Sequence, residues 1–222
     1  MTKTDYERYI KTDELFACMK PSEELRAQGE LLFQTTHQAA ELWMQVILHD
    51  LKTAASSLDQ DLVMRATSLI QRSARIERLL VQQLEVLEHL PPAEYALIRE
   101  GLGKGSGQES PGFNQLLEMG DILWPPVERY LARKRIGVVE ILSAPDDWPA
   151  EHALVQALQD VDAQFRTWRF AHFRLVERQI GAFVDSLKGV PAELLAHGLR
   201  EHQMPDLWAA VNDYTKTVKT GY

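Results

Sequence analysis

Apolar residues recur at three- and four-residue steps through most of this chain. Leu32, Phe33, Thr36, Ala40, Trp43, Ile47 and Leu51 keep that spacing, which is the stripe a helix presents to a core. Pro21-Ser22-Glu23-Glu24 predicts the start of this helix, with Ser22 as N-cap and acids in the first turn, and its pattern runs to about residue 57. A second long helix restarts at Asp59-Gln60-Asp61 and runs to about Leu90, with Leu62, Ala66, Leu69, Ile76, Leu80, Leu84 and Leu87 inward; Pro91-Pro92 stops it. A short helical piece covers Ala93 to Glu100. Ser110-Pro111-Gly112 opens another helix that is expected to end near Trp124-Pro125-Pro126, and Val127 to Leu142 continues in helical character.

Ser143 to Pro149 reads as a loop and cap, and the longest predicted helix then covers about Ala150 to Val184. Phe165, Trp168, His172, Val176 and Ile180 line up along it. Gly189-Val190-Pro191 breaks the pattern, a shorter helix is expected over Ala192 to His202, and Met204-Pro205-Asp206 opens the last one. There is no internal repeat and no alternating strand pattern. The expected fold is an all-α bundle forming one domain over residues 1–222, with 1–20 as an aromatic-rich N-terminal arm.

Composition narrows the function. A chain of 222 residues with 45% hydrophobic content is long enough for a sizeable core. The formal net charge of −8 argues against a nucleic-acid footprint or an anionic membrane surface, and the basic cluster Arg129 to Arg135 reads as the solvated end of a helix. Cys18 is the lone cysteine, so an intrachain disulfide and paired-cysteine zinc sites are excluded. The start Met1-Thr2-Lys3-Thr4-Asp5-Tyr6 has no apolar leader and no long apolar run follows, which points to a cytoplasmic protein. No strong metal-ligand spacing occurs, so a metal would arrive inside a cofactor.

Two histidines stand out against this background. His37 lies beside the apolar stripe of the first long helix and His172 within that of the longest one. They either face one cavity or are ordinary core histidines satisfied by local hydrogen bonds. The run Gly101-Leu102-Gly103-Lys104-Gly105-Ser106-Gly107 lacks the phosphate-loop spacing and no strand precedes it, so it reads as a loop beside a site or a simple connector.

The residues around these histidines resemble the tryptophan 2,3-dioxygenases and related heme-dependent aromatic oxygenases. Phe33 before His37-Gln38 and Glu41-Leu42-Trp43 is similar to the family's distal-side motif, and Trp168-Arg169-Phe170 before His172, with Val176-Glu177-Arg178 and Ile180-Gly181 after it, is similar to the segment whose histidine ligates heme iron. Tyr95 to Arg99, followed by Ser106-Gly107, resembles the segment that gives the substrate pocket a tyrosine, a carboxylate-binding arginine and a loop serine. Tyr6, Tyr9 and Ile10 resemble an N-terminal arm that packs into a neighbouring subunit's pocket, which implies a homo-oligomer, a dimer or tetramer.

The resemblance implies heme b with His172 as axial ligand to iron and Trp168 beside it, dioxygen as co-substrate, and His37 holding an indole N–H. Phe33 would form an apolar wall and Arg99 would bind the carboxylate of a small aromatic substrate; a solvated Arg99 paired with Glu94 or Glu100 is the plainer alternative. Where the family has a Gly-Thr-Gly-Gly-Ser loop, this chain has Phe183-Val184-Asp185-Ser186-Leu187-Lys188-Gly189, with no counterpart to the substrate-contacting threonine. The expected activity is therefore ring-opening dioxygenation of L-tryptophan or a related indole amino acid to an N-formylkynurenine-type product. Heme-dependent hydroxylation of an aromatic compound and a non-catalytic helical ligand-binding protein are the alternatives.

Overall fold

A computed structural model describes residues 3–103, 105, 107–181 and 198–219; most of these are helical and none forms a strand. Two short helices, α1 (Asp5–Ile10) and α2 (Thr12–Ala17), form the arm, and neither contains a buried residue. Thr4 opens α1 in a reciprocal capping box with Glu7. The first long helix, α3, spans Glu30–Asp59 and starts later than its sequence pattern suggests. Ser22 is not its N-cap but lies in a 3₁₀ turn, Ser22–Glu24. The cap position is taken by Gly29, whose N–H donates to Glu94 Oε2 at 2.7 Å. A Cβ at Gly29 would stand 2.3 Å from Leu90 Cδ1, so α3 begins where the chain meets the corner after the next helix. The Glu30 carboxylate accepts the Arg26 N–H at 2.5 Å and Lys20 Nζ at 2.8 Å, fixing that first turn.

The bundle is built from α3, α4 (Val63–Leu87), α7 (Met119–Lys134) and α9 (Pro149–Ile180), with α5 (Pro92–Gly101), α6 (Pro111–Leu116), α8 (Val138–Ser143) and α10 (Pro205–Lys219) around them. Helix α4 packs on both α3 and α9, and α7 packs on α3. Ile47, Leu51, Ile70, Leu123, Leu158 and Phe165 are among the side chains of one continuous buried cluster. Helix α7 runs through Pro125 and Pro126, where the sequence pattern suggested a stop. Its buried residues Leu123, Pro126, Val127, Tyr130 and Leu131 form one stripe, and burying that stripe outweighs the two missing N–H donors. Helix α9 ends at Ile180, with Gly181 at φ 87°, a conformation that glycine adopts freely.

Ion pairs lock the corners. The Asp50 carboxylate, buried on α3, takes two hydrogen bonds from Arg72 of α4, at 2.6 and 2.5 Å. Arg129 and Arg133 are docked rather than freely solvated, on Asp59 and Asp61 of the α3–α4 turn, and Arg133 also donates to the Leu58 carbonyl at 2.6 Å. Buried Asp162 of α9 accepts the Gln203 N–H at 3.1 Å and Trp208 Nε1 at 2.5 Å, which ties the start of α10 to α9. No helix among the described residues is long and apolar enough to cross a membrane.

The predicted helix over 192–202 lies largely outside the described residues, as does the segment at 183–189; Gly198–Arg200 forms a 3₁₀ turn.

Candidate functional site

A cavity of about 360 Å³ opens between α3, α4, α5 and α9, a size typical of small-molecule sites. Phe33, Met44, Leu84, Phe113 and Leu175 give it apolar walls, and His37 and His172 both line it. The two histidines, 135 positions apart in sequence, thus share one space.

On α3, Nδ1 of His37 lies 2.7 Å from the Phe33 carbonyl oxygen, one helical turn back. A carbonyl only accepts, so Nδ1 carries the proton and Nε2 of the neutral ring is left as an acceptor. The Phe33 ring sits 4.2 Å from the imidazole between centroids and 5.9 Å from the Tyr95 ring, forming one aromatic wall. Burial lowers the His37 pKa, opposed by the Phe33 carbonyl and by the charge of Glu41.

His172 is more strongly perturbed. Burial pushes its pKa down to about 4, and the proximity of His37 adds to the effect, so the ring is uncharged at neutral pH. Trp168, one turn earlier on α9, stacks on it at 5.5 Å and 20° between planes. Phe113 and Phe165 pack against Trp168 from behind, at 5.5 and 6.3 Å between centroids. Among the described residues no three His, Cys, Asp or Glu gather to hold a metal ion.

Tyr95 and Arg99 both line the cavity from α5, and both also line an adjoining open pocket with Gln179 and Ile180. Burial raises the Tyr95 pKa, with Arg99 opposing. Glu94, the sequence alternative as a partner for Arg99, accepts the Gly29 N–H. Gly107 lines the cavity, whereas Ser106 lies outside the described residues. Tyr6, Tyr9 and Ile10 are not among the lining residues; they are 70%, 88% and 39% exposed on the arm.

Several cavity residues were not singled out as site residues from sequence. Glu41, one turn after His37, accepts the Ser110 hydroxyl and, at 3.0 Å, the Gly112 N–H, so it holds the first turn of α6 at the cavity edge. Gln83, Arg169 and Gln179 also line the cavity, and Gln83 Oε1, Arg169 Nη1 and Gln179 Oε1 are buried without hydrogen-bond partners among the described residues. The Gln179 amide is oriented by its nitrogen, which donates to the Leu90 carbonyl at 2.9 Å. Its i, i+7 spacing from His172 places it on the same side of the helix, but an apolar helix face does not show which amide oxygen will be stranded.

Residues 1–121 match the family model for tryptophan 2,3-dioxygenase. A tryptophan 2,3-dioxygenase of Xanthomonas euvesicatoria pv. vesicatoria is 30% identical over 227 aligned residues, covering 79% of this chain and 76% of the relative. One from Xanthomonas campestris pv. campestris is 29% identical with the same coverage. One from Serratia proteamaculans is 28% identical over 229 residues, covering 81% of this chain and 82% of the relative.

Proposed function

The chain belongs to the tryptophan 2,3-dioxygenase family, and from that premise we propose that it is a heme-dependent dioxygenase that opens the indole ring of L-tryptophan or a related indole amino acid. The product is of the N-formylkynurenine type, with both atoms of dioxygen incorporated.

The residues fit a heme. His172 offers a neutral imidazole, the form that ligates iron, from a wall where Trp168 stacks on the ring and restricts its rotation. The cavity is apolar over most of its lining yet leaves a guanidinium nitrogen without a partner among the described residues, as a flat apolar ring system with carboxylate arms would require. When bound, heme supplies the dioxygen-activating centre. The chain's own residues supply ligation, orientation and exclusion of water.

The observation that carries the reading is the tautomer of His37. With Nδ1–H held by the Phe33 carbonyl, Nε2 is an acceptor, and an indole N–H is the complementary donor. His37 thereby orients the substrate ring, and Phe33 provides an apolar surface for it beside Tyr95. Arg99 takes the substrate carboxylate in a charge-assisted pair, and Gly107 borders the amino acid end of the cavity. Tyr6, Tyr9 and Ile10, exposed on an arm with no buried residue, dock on a neighbouring copy in a homodimer or homotetramer. The protein is a single domain over residues 1–222 and works in the cytoplasm.

The test is the absorption spectrum of the chain expressed with heme supply, followed by addition of L-tryptophan to the ferrous form in air. A Soret band and an N-formylkynurenine-type product carrying two ¹⁸O atoms from ¹⁸O₂ are expected. A product with one added oxygen and an intact ring would replace dioxygenation by hydroxylation. The sequence at 183–189, which lacks the glycine-rich substrate loop, is the feature that favours that second reading. No Soret band would leave a helical ligand-binding protein.

A further inference from the structure

We propose that Arg169 is the cation that neutralises a heme propionate in this cavity. The inference rests on the heme reading above and adds a residue that the reading does not need.

Arg169 sits on α9 one turn before His172, on the wall of the same cavity. Its side chain is only 10% exposed, and its ion pair is a long one, 3.7 Å to Glu201, which is itself 69% exposed. Nη1 has no hydrogen-bond partner among the described residues. The face of the guanidinium is offered to the Phe165 ring, 5.9 Å away. A guanidinium keeps its charge under all ordinary conditions, so its burial must be compensated by an anion. Among the described residues the carboxylate that pairs with it is distant and solvated, and buried Asp162, which also acts on the charge of Arg169, is already engaged by Gln203 and Trp208.

The backbone opposite lies close to this group. A Cβ at Gly198 would lie 1.8 Å from Arg169 Nη2, so in its present position the guanidinium packs directly on bare glycine backbone. Gly198 also lines the cavity. The Asp162 contacts to Gln203 and Trp208 fix the segment that carries it. The site is therefore a fixed, nine-tenths buried cation beside an apolar cavity, and the ligand chemistry it calls for is a carboxylate attached to an apolar body. Arg99, on α5 with Tyr95, is a separate cation of the same cavity. A heme brings two carboxylates and an amino acid substrate brings a third, so the two arginines have distinct anions to serve.

The experiment follows loss of porphyrin from the loaded protein to an excess of apomyoglobin by the Soret band. It uses heme b and its dimethyl ester, in which both propionates are blocked. Arg169→Gln should speed loss of heme b about ten- to a hundredfold, the usual worth of a charge-assisted hydrogen bond. The ester should leave the wild type and the variant at the same rate. Glu201→Gln should leave heme loss unchanged, since Glu201 is the weak partner. Arg169→Met should raise the melting temperature of the heme-free chain while weakening heme retention, because it removes a buried charge lacking a good partner. A merely structural arginine would lower both. Equal acceleration for heme b and the ester, or no acceleration for either, overturns the assignment while leaving heme binding intact. A wild-type chain that takes up neither porphyrin overturns the heme reading and the assignment with it.

Discussion

His37 and His172 come from helices α3 and α9, yet they line one cavity closely enough for a charge on the first to depress the pKa of the second. The pair divides by environment. His37 has its proton fixed on Nδ1 by a backbone carbonyl, whereas His172 has burial as its main perturbation and an aromatic ring against its face. Two residues of one type thus acquire different chemistry.

The His172 pKa near 4 makes the heme-free chain acid-sensitive. Above the unfolded value of about 6.5 both states are neutral at this residue. As pH falls toward 4 the unfolded chain takes up a proton that the folded chain refuses, so stability is lost across that window. The loss approaches about 3 kcal/mol at its lower end. Urea unfolding of the heme-free protein at pH 7.5 and 4.5 should show it, and His172→Phe should remove most of the difference. An unchanged difference in that variant would assign the acid sensitivity to carboxylates instead.

The tautomer of His37 predicts a substrate-dependent defect. His37→Ala should retain the Soret band of the loaded protein and lower kcat/KM for L-tryptophan by about ten- to a hundredfold, the scale of a lost orienting hydrogen bond. For 1-methyltryptophan, which has no indole N–H, wild type and variant should differ by less than about threefold. Parallel steady-state kinetics on the two substrates decide the matter, since an equal defect on both would give His37 a role other than holding the N–H.

Arg99→Ala should discriminate in the same manner at the other end of the substrate. Loss of a charged pair to the carboxylate costs about 1.5–3 kcal/mol, which is about a tenfold to 150-fold fall in kcat/KM for L-tryptophan. Tryptamine, lacking the carboxylate, should be handled alike by both proteins. Equal losses on the two substrates would remove Arg99 from carboxylate binding.

Much of this architecture is legible in the sequence because helical periodicity reports burial directly. Ile47 and Leu51 on α3, and Phe165 and Trp168 on α9, are buried as their spacing indicates. Trp43 and Leu62, expected to face inward, are exposed at 36% and 44%. Leu62 lies just before α4 begins, where the helical period no longer sets direction. Trp43 keeps an edge accessible beside exposed Leu42 and Val46, a face that the stripe alone does not distinguish from core. The helix start at Glu30 and the continuous α7 were illegible for another reason. Both depend on contacts distant in sequence, Gly29 against Leu90 and the α7 stripe against α3. The His37 tautomer and the stranded guanidinium of Arg169 are likewise fixed by atoms, whereas a residue pattern fixes only faces.

Glu41 connects the two scales, because it touches both the loop edge and the electrostatics of His37. Its carboxylate holds the Ser110 hydroxyl and the Gly112 N–H at the start of α6, and a Cβ at Gly112 would lie 2.8 Å from both Glu41 Oε2 and Met44 Cβ. Glu41→Gln keeps the shape but loses the charge that favours protonated His37, so the His37 pKa should fall further. If turnover needs neutral His37, the acid limb of the kcat/KM profile should move to lower pH in Glu41→Gln. Glu41→Ala should in addition release the first turn of α6, with faster hydrogen exchange over residues 110–116 and a higher KM. An acid limb that stays in place in Glu41→Gln would show that a group other than His37 controls it.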